Sequence, residues 1–183
     1  MTVEEIFKQI SAHMIKGLMI HDQLADYYDF LSLRGYKRCH EYHYKIENAS
    51  YRKLHRYYLN HHNRLIPEER IDNPNIIPES WYKYKRQDVD ASTKKNAVRT
   101  GMNKWVEWET ETKDILSKAY TDLMQIEEEA SALFIAELIK DVDCELKYAK
   151  RKQIDLNVID YNIEYILQEQ TCIHDKYKKL LKG

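Results

Sequence analysis

The chain has 183 residues, enough for one domain with a sizeable core, and 29 Lys and Arg against 30 Asp and Glu give a formal net charge of −1. No global field therefore draws it onto nucleic acid or an anionic membrane, and no apolar run approaches the roughly 20 residues that span a bilayer. Three cysteines, Cys39, Cys144 and Cys172, are too few and too scattered for a disulfide framework; free thiols and a cytoplasmic location are expected, with no secretory h-region at the start.

Only 4 Gly and 3 Pro occur, and Pro67, Pro74 and Pro78 share one short region, so long helices with few loops are expected. Thr2 with Glu5 reads as a capping box opening a first helix over 2–34. Val3, Ile6, Ile10, His13, Gly17, Ile20, Leu24, Tyr27 and Leu31 recur at steps of three and four, and Gly35 reads as the terminator. A second helix over 36–63 then returns antiparallel. Its stripe is Cys39, His43, Ile46, Ser50, Leu54, Tyr57 and His61, with Glu47 one turn after His43. An inward His and Glu at that spacing can share a metal or hydrogen-bond one another.

Periodicity fails over 66–92, a long connection of the kind that carries a bundle from one end to the other and makes helices two and three parallel. Helix three, over 94–126, turns Trp105, Trp108, Thr112, Ile115, Ala119, Leu123 and Ile126 inward. The next stripe, Phe134, Ile135, Leu138, Val142, Leu146 and Ala149, is rotated by about a third of a turn at 100° per residue. A break near Glu127–Glu129 restores both faces to one core and starts helix four, over 130–153. Asp155 or Asn157 caps a fifth helix over 156–182, with Ile159, Ile163, Ile166, Gln170, Ile173, Tyr177 and Leu181 inward. All 183 residues make one helical-bundle domain on this reading.

Hairpin, crossover, helix, sharp break, helix is an order that resembles the ferritin-like four-helix bundle, here all-α with an extra C-terminal helix. GYKRCHEYHYKIENASYRKLHRYYLNHHNRLI resembles the second ferritin helix, and WETETKDILSKAYTDLMQIEEEASALFIAELIKDVDCELK the third helix, turn and fourth helix. The resemblance covers about residues 14–152. It implies metal-ligand places at His21 on the first helix and Glu47 on the second, where the paired His place is Ser50. It also implies Glu109 on the third helix and Glu145, flanked by Asp141 and Asp143, on the fourth. His43, a turn before Glu47, can stand in for a lost ligand.

Two functions follow. The preferred reading is a non-enzymatic binding module whose His21, His43 and Glu47 form a buried polar cluster without metal, engaging a protein or nucleoprotein in the manner of a phage or mobile-element accessory protein. The alternative is a di-iron or mononuclear oxidase or iron-handling protein, with iron or manganese held by His21, His43, Glu47, Glu109 and Glu145. A nucleic-acid contact, if made, falls within 81–104, where Trp81, Tyr82 and Tyr84 interleave with Lys83, Lys85, Arg86, Lys94 and Lys95. Fifteen tyrosines and the long fifth helix suggest a small homo-oligomer rather than a cage.

Overall fold

The computed structural model describes residues 1–182 and, at Ser80, the backbone alone. Five helices follow one another: α1 (Val3–Phe30), α2 (Arg34–His62), α3 (Ala91–Gln125), α4 (Glu129–Val158) and α5 (Ile163–Leu180). Two 3-10 turns, Glu79–Lys83 and Arg86–Asp88, lie in the long connection, and no strand occurs among the described residues. No described helix is long and apolar enough to cross a membrane.

The capping box forms as expected. The Thr2 hydroxyl accepts the Glu5 N–H at 3.2 Å, and the Glu5 carboxylate accepts the Thr2 N–H at 2.7 Å. Gly35 is not the stop. The chain leaves α1 at Phe30 and turns on Ser32, whose φ is 61°, so Gly35 falls in the first turn of α2. Glycine serves close packing there: a Cβ on Gly35 would stand 2.0 Å from the carbonyl oxygen of Gln170 on α5. The break between α3 and α4 falls on Glu127, φ 62°, where the Glu128 N–H returns to the Leu123 carbonyl at 3.0 Å.

The last boundary lies later than the 153–156 expected. Leu156 is fully buried and continues the inward stripe of α4, which holds Asp155 and Asn157 in the helix. The turn falls instead on Asp160 and Tyr161, with φ of 48° and 52°, and Asn162 caps α5 by accepting the Tyr165 N–H at 3.0 Å. Lys95 and Arg99 grip Asp160 at 2.6 and 2.7 Å, and Arg99 lies over the Tyr161 ring.

α1 packs with α2, α3 with α4, and α1 with α3, while α5 lies across α2 and touches α3. His13 meets Thr112 and Tyr27 meets Ala97, so α1 and α3 are antiparallel, which makes α2 and α3 parallel. The connection 63–90 runs the length of α1. It is tied by Arg64–Glu4 and Lys8–Glu69, both 3.9 Å, by the Ile76 N–H to Gln23 at 2.7 Å, and by Arg86–Asp29 at 3.5 Å.

Two apolar clusters fill the bundle. One centres on Phe7, Ile10, Leu54, Leu116 and Ile135, the other on Leu24, Tyr28, Val98, Met102 and Leu156. Each fully buried side chain of this kind contributes about 1.5–3 kcal/mol, which offsets the cost of what lies between the clusters. At mid-length the core turns polar, with His21, His40, His43 and Glu109 all buried.

Candidate metal centre

Four helices each send one or more ionisable groups into this polar layer. α1 supplies His21, α2 supplies His40, His43 and Glu47, α3 supplies Glu109, and α4 supplies Glu145. His43, Glu109 and Glu145 each present a ligand-type atom, and the three atoms lie within 4.8 Å of one another. His43 Nδ1 is 3.3 Å from a Glu145 oxygen. His21 Nε2 stands 3.6 Å from Glu47 and 4.0 Å from Glu109.

Two indoles orient the carboxylates. Trp105 Nε1–H donates to Glu109 and Trp108 Nε1–H donates to Glu47, each at 2.9 Å. Trp108 is in turn stacked on His13, ring centres 4.0 Å apart, and His13 Nε2–H donates to Thr112 at 2.8 Å while the Thr112 hydroxyl donates to the Trp108 carbonyl. Gly17 leaves the room that Glu47 uses: a Cβ there would meet the carboxylate at 2.1 Å and the Trp108 ring at 2.5 Å.

Burial and mutual repulsion set the charges. Burial, then the charges of Glu145 and Glu47, push the Glu109 carboxyl up to about 8. Burial alone would lower His43, but hydrogen bonds with Cys39 and Glu145 hold it well above the usual histidine range. His40 goes the other way, held well below that range by burial and by His21 and His43 beside it. Its Nδ1 is 3.0 Å from His21 Nδ1, so one ring donates and the other accepts, and the Tyr28 ring stacks on it at 5.3 Å.

Among the described residues of this layer, three imidazole and carboxylate atoms are buried without a hydrogen-bond partner: His21 Nε2, His43 Nε2 and Glu47 Oε2. Buried polar atoms are normally paired, and unpaired imidazole and carboxylate atoms beside a three-ligand cluster suit a metal ion. A cavity of about 40 Å³ adjoins Glu47, Glu109 and Glu145, and Ser50, Asp141 and Leu138 also line it. The donor set therefore fits a transition metal.

The resemblance had placed His21, Glu47, Glu109 and Glu145 at ligand positions, with His43 standing in for a lost one, and the fold brings all five to one level. Of the flanking acids on α4, Asp143 turns out to Lys113 and Lys147, each at 2.5 Å, which lower its carboxyl to about 2, while Asp141 borders the cavity. His40 and the two indole donors were not foreseen as part of the site. His40 lies one turn before His43, and a buried Trp N–H calls for an acceptor; both signals were present. The basic-aromatic stretch is divided. Trp81 packs inward on Tyr27 at 5.0 Å, Arg86 pairs with Asp29 and Lys95 with Asp160, while Tyr82 and Tyr84 stay 75% and 51% exposed.

Two antiparallel helix pairs joined by a full-length crossover, with carboxylates and histidines converging at mid-length, define a ferritin-like four-helix bundle carrying a fifth helix. Among solved structures, that of an Archaeoglobus fulgidus ferritin, engineered into a closed form by site-directed mutagenesis, is similar with a TM-score of 0.77, over 95% of this chain and 96% of that one. Identity is 13%, so the likeness is one of fold. No protein-family profile matches the sequence, and no curated protein is similar to it in sequence.

Proposed function

We propose that this chain is a ferritin-like metal-handling protein that takes a divalent transition ion, iron(II) foremost, into the middle of its bundle. The observation that carries the reading is the convergence of buried His43 and Glu109 with half-buried Glu145 within 4.8 Å, beside donor atoms that nothing else satisfies. His43, Glu109 and Glu145 would hold the ion, and iron there would supply one-electron redox chemistry. The protein's part is to orient and exclude. Trp105 fixes Glu109, Glu145 holds the proton of His43, and the apolar clusters above and below keep bulk water away.

This reverses the order of the two readings drawn from sequence. The binding module was preferred because the paired histidines are missing, yet His43 and Glu145 meet in space from different helices. What supports a partner surface is narrower: Tyr82 and Tyr84 exposed on the crossover. Self-association finds support in Leu133, Ile154 and Val158, apolar and exposed on α4.

Protein purified from cells supplied with iron and manganese should carry near-stoichiometric metal by elemental analysis. Glu145→Gln and His43→Ala should lose it while keeping the helical circular dichroism of the parent. Metal at background level in the parent would overturn the reading.

A further inference from the structure

We infer that the centre is mononuclear, holding one divalent ion per chain on His43, Glu109 and Glu145. The inference rests on the metal-handling reading above and narrows it.

A dinuclear carboxylate centre in a four-helix bundle draws a Glu from each of two helices and a Glu-x-x-His pair from each of the other two. Here both pairs are broken, as Glu47-x-x-Ser50 on α2 and Glu145-x-x-Tyr148 on α4, and α1 offers His21 in place of a carboxylate. What remains is a single histidine on the other side of Glu47, one turn before it, and that histidine has joined Glu145. The donors for one ion are therefore gathered, and for a second the single imidazole–carboxylate pair of His21 and Glu47 is left.

Glu47 is the residue a second ion would need, and only one of its oxygens is free. Oε1 accepts the Trp108 indole at 2.9 Å. Oε2 sits unpaired in the space that Gly17 leaves. The imidazole facing it, His21, is tied through Nδ1 to His40, which leaves Nε2 alone to offer. At Ser50, where a second histidine would be supplied, the side chain is short and borders the cavity of about 40 Å³. That volume holds about three waters at 10–15 Å³ each, room for solvent to complete the shell of one ion. Three protein ligands with the remaining positions left to solvent is the layout of an open metal site.

The test is an anaerobic titration of the metal-free full-length chain with Co²⁺ and, separately, Fe²⁺. Bound metal is counted after gel filtration, and the Co²⁺ absorption reports the ligand field. One equivalent is expected for each ion. Glu145→Gln should abolish the Co²⁺ band while keeping the helical circular dichroism of the parent. Two equivalents in the parent would overturn the mononuclear assignment and leave metal handling standing. Binding of neither ion would overturn both.

Discussion

Replacing Glu109 by Gln separates what this residue does for the fold from what it does for a metal. In the folded, metal-free chain its carboxyl titrates at about 8 against 4.5 for an unperturbed group, because it is buried beside Glu145 and Glu47. At about 1.4 kcal/mol per pH unit, keeping that group ionised in the folded state costs on the order of 5 kcal/mol relative to the unfolded chain. The native state binds the extra proton between those two values, so stability is fully present below pH 4.5 and is lost as pH rises through about 8. Glutamine cannot ionise, and its amide oxygen still accepts the Trp105 indole. Urea denaturation of metal-free protein should therefore show the Gln variant gaining on the parent by about 3 kcal/mol between pH 6 and pH 9. Metal should reverse the order, stabilising the parent and not the variant. If Glu109→Gln is the less stable protein at pH 9 without metal, or the gap does not widen, the account of this residue is wrong.

Three other perturbations probe the surroundings. His13 is lowered to about 3 by burial and by Lys16, so its contribution is present above about 6.5 and lost as pH falls towards 3; His13→Phe should flatten the acid limb of a pH–stability profile and move acid unfolding to lower pH. Tyr28 buries a hydroxyl with no partner against Gly101, so Tyr28→Phe should raise stability by about 1 kcal/mol in urea titration, and a loss of that size would refute the reading. Gly17→Ala improves intrinsic helix propensity yet drives a methyl into Glu47 and Trp108. A net loss of about 1–3 kcal/mol is expected, and a gain would show that the space at Gly17 is not needed.

Much of this architecture was legible because helical phase is a strong signal. The rotation of the apolar stripe after Ile126 located the turn at Glu127, although no Gly or Pro marks it. Phase and the ferritin-like resemblance together singled out His21, His43, Glu47, Glu109 and Glu145. Gly35 was misread because glycine ends helices and also lets helices touch, and only the approach of Gln170 distinguishes the two uses. The start of α5 was ambiguous for a similar reason. Asp155, Asn157 and Asn162 are all competent caps, and burial of Leu156 selects the last. At the site, local pattern could not reveal that His43 would find Glu145, 102 positions away, nor that Lys95 would be drawn to Asp160. Those pairings belong to the third dimension, and with them went the balance between a partner-binding and a metal-binding reading.

The long connection along α1 has a consequence for how copies of the chain can relate to one another. It spans one helix of 28 residues, roughly 42 Å at 1.5 Å per residue, with 28 residues of its own between His62 and Ala91, which stretched out reach roughly 90 Å. About half its contour is slack. The α1–α2 hairpin is meanwhile held on two sides by the other half of the same chain: α3 lies along α1, and α5 reaches over α2, where Glu169 accepts the Tyr36 hydroxyl at 2.8 Å. If the strap is drawn straight, one chain can lend its first hairpin to the second half of another and receive that chain's hairpin in exchange. The contacts between the two halves are then remade across two molecules. The loop that closes the monomer is long enough to join a dimer, and shortening it until it no longer spans α1 would favour the exchanged form.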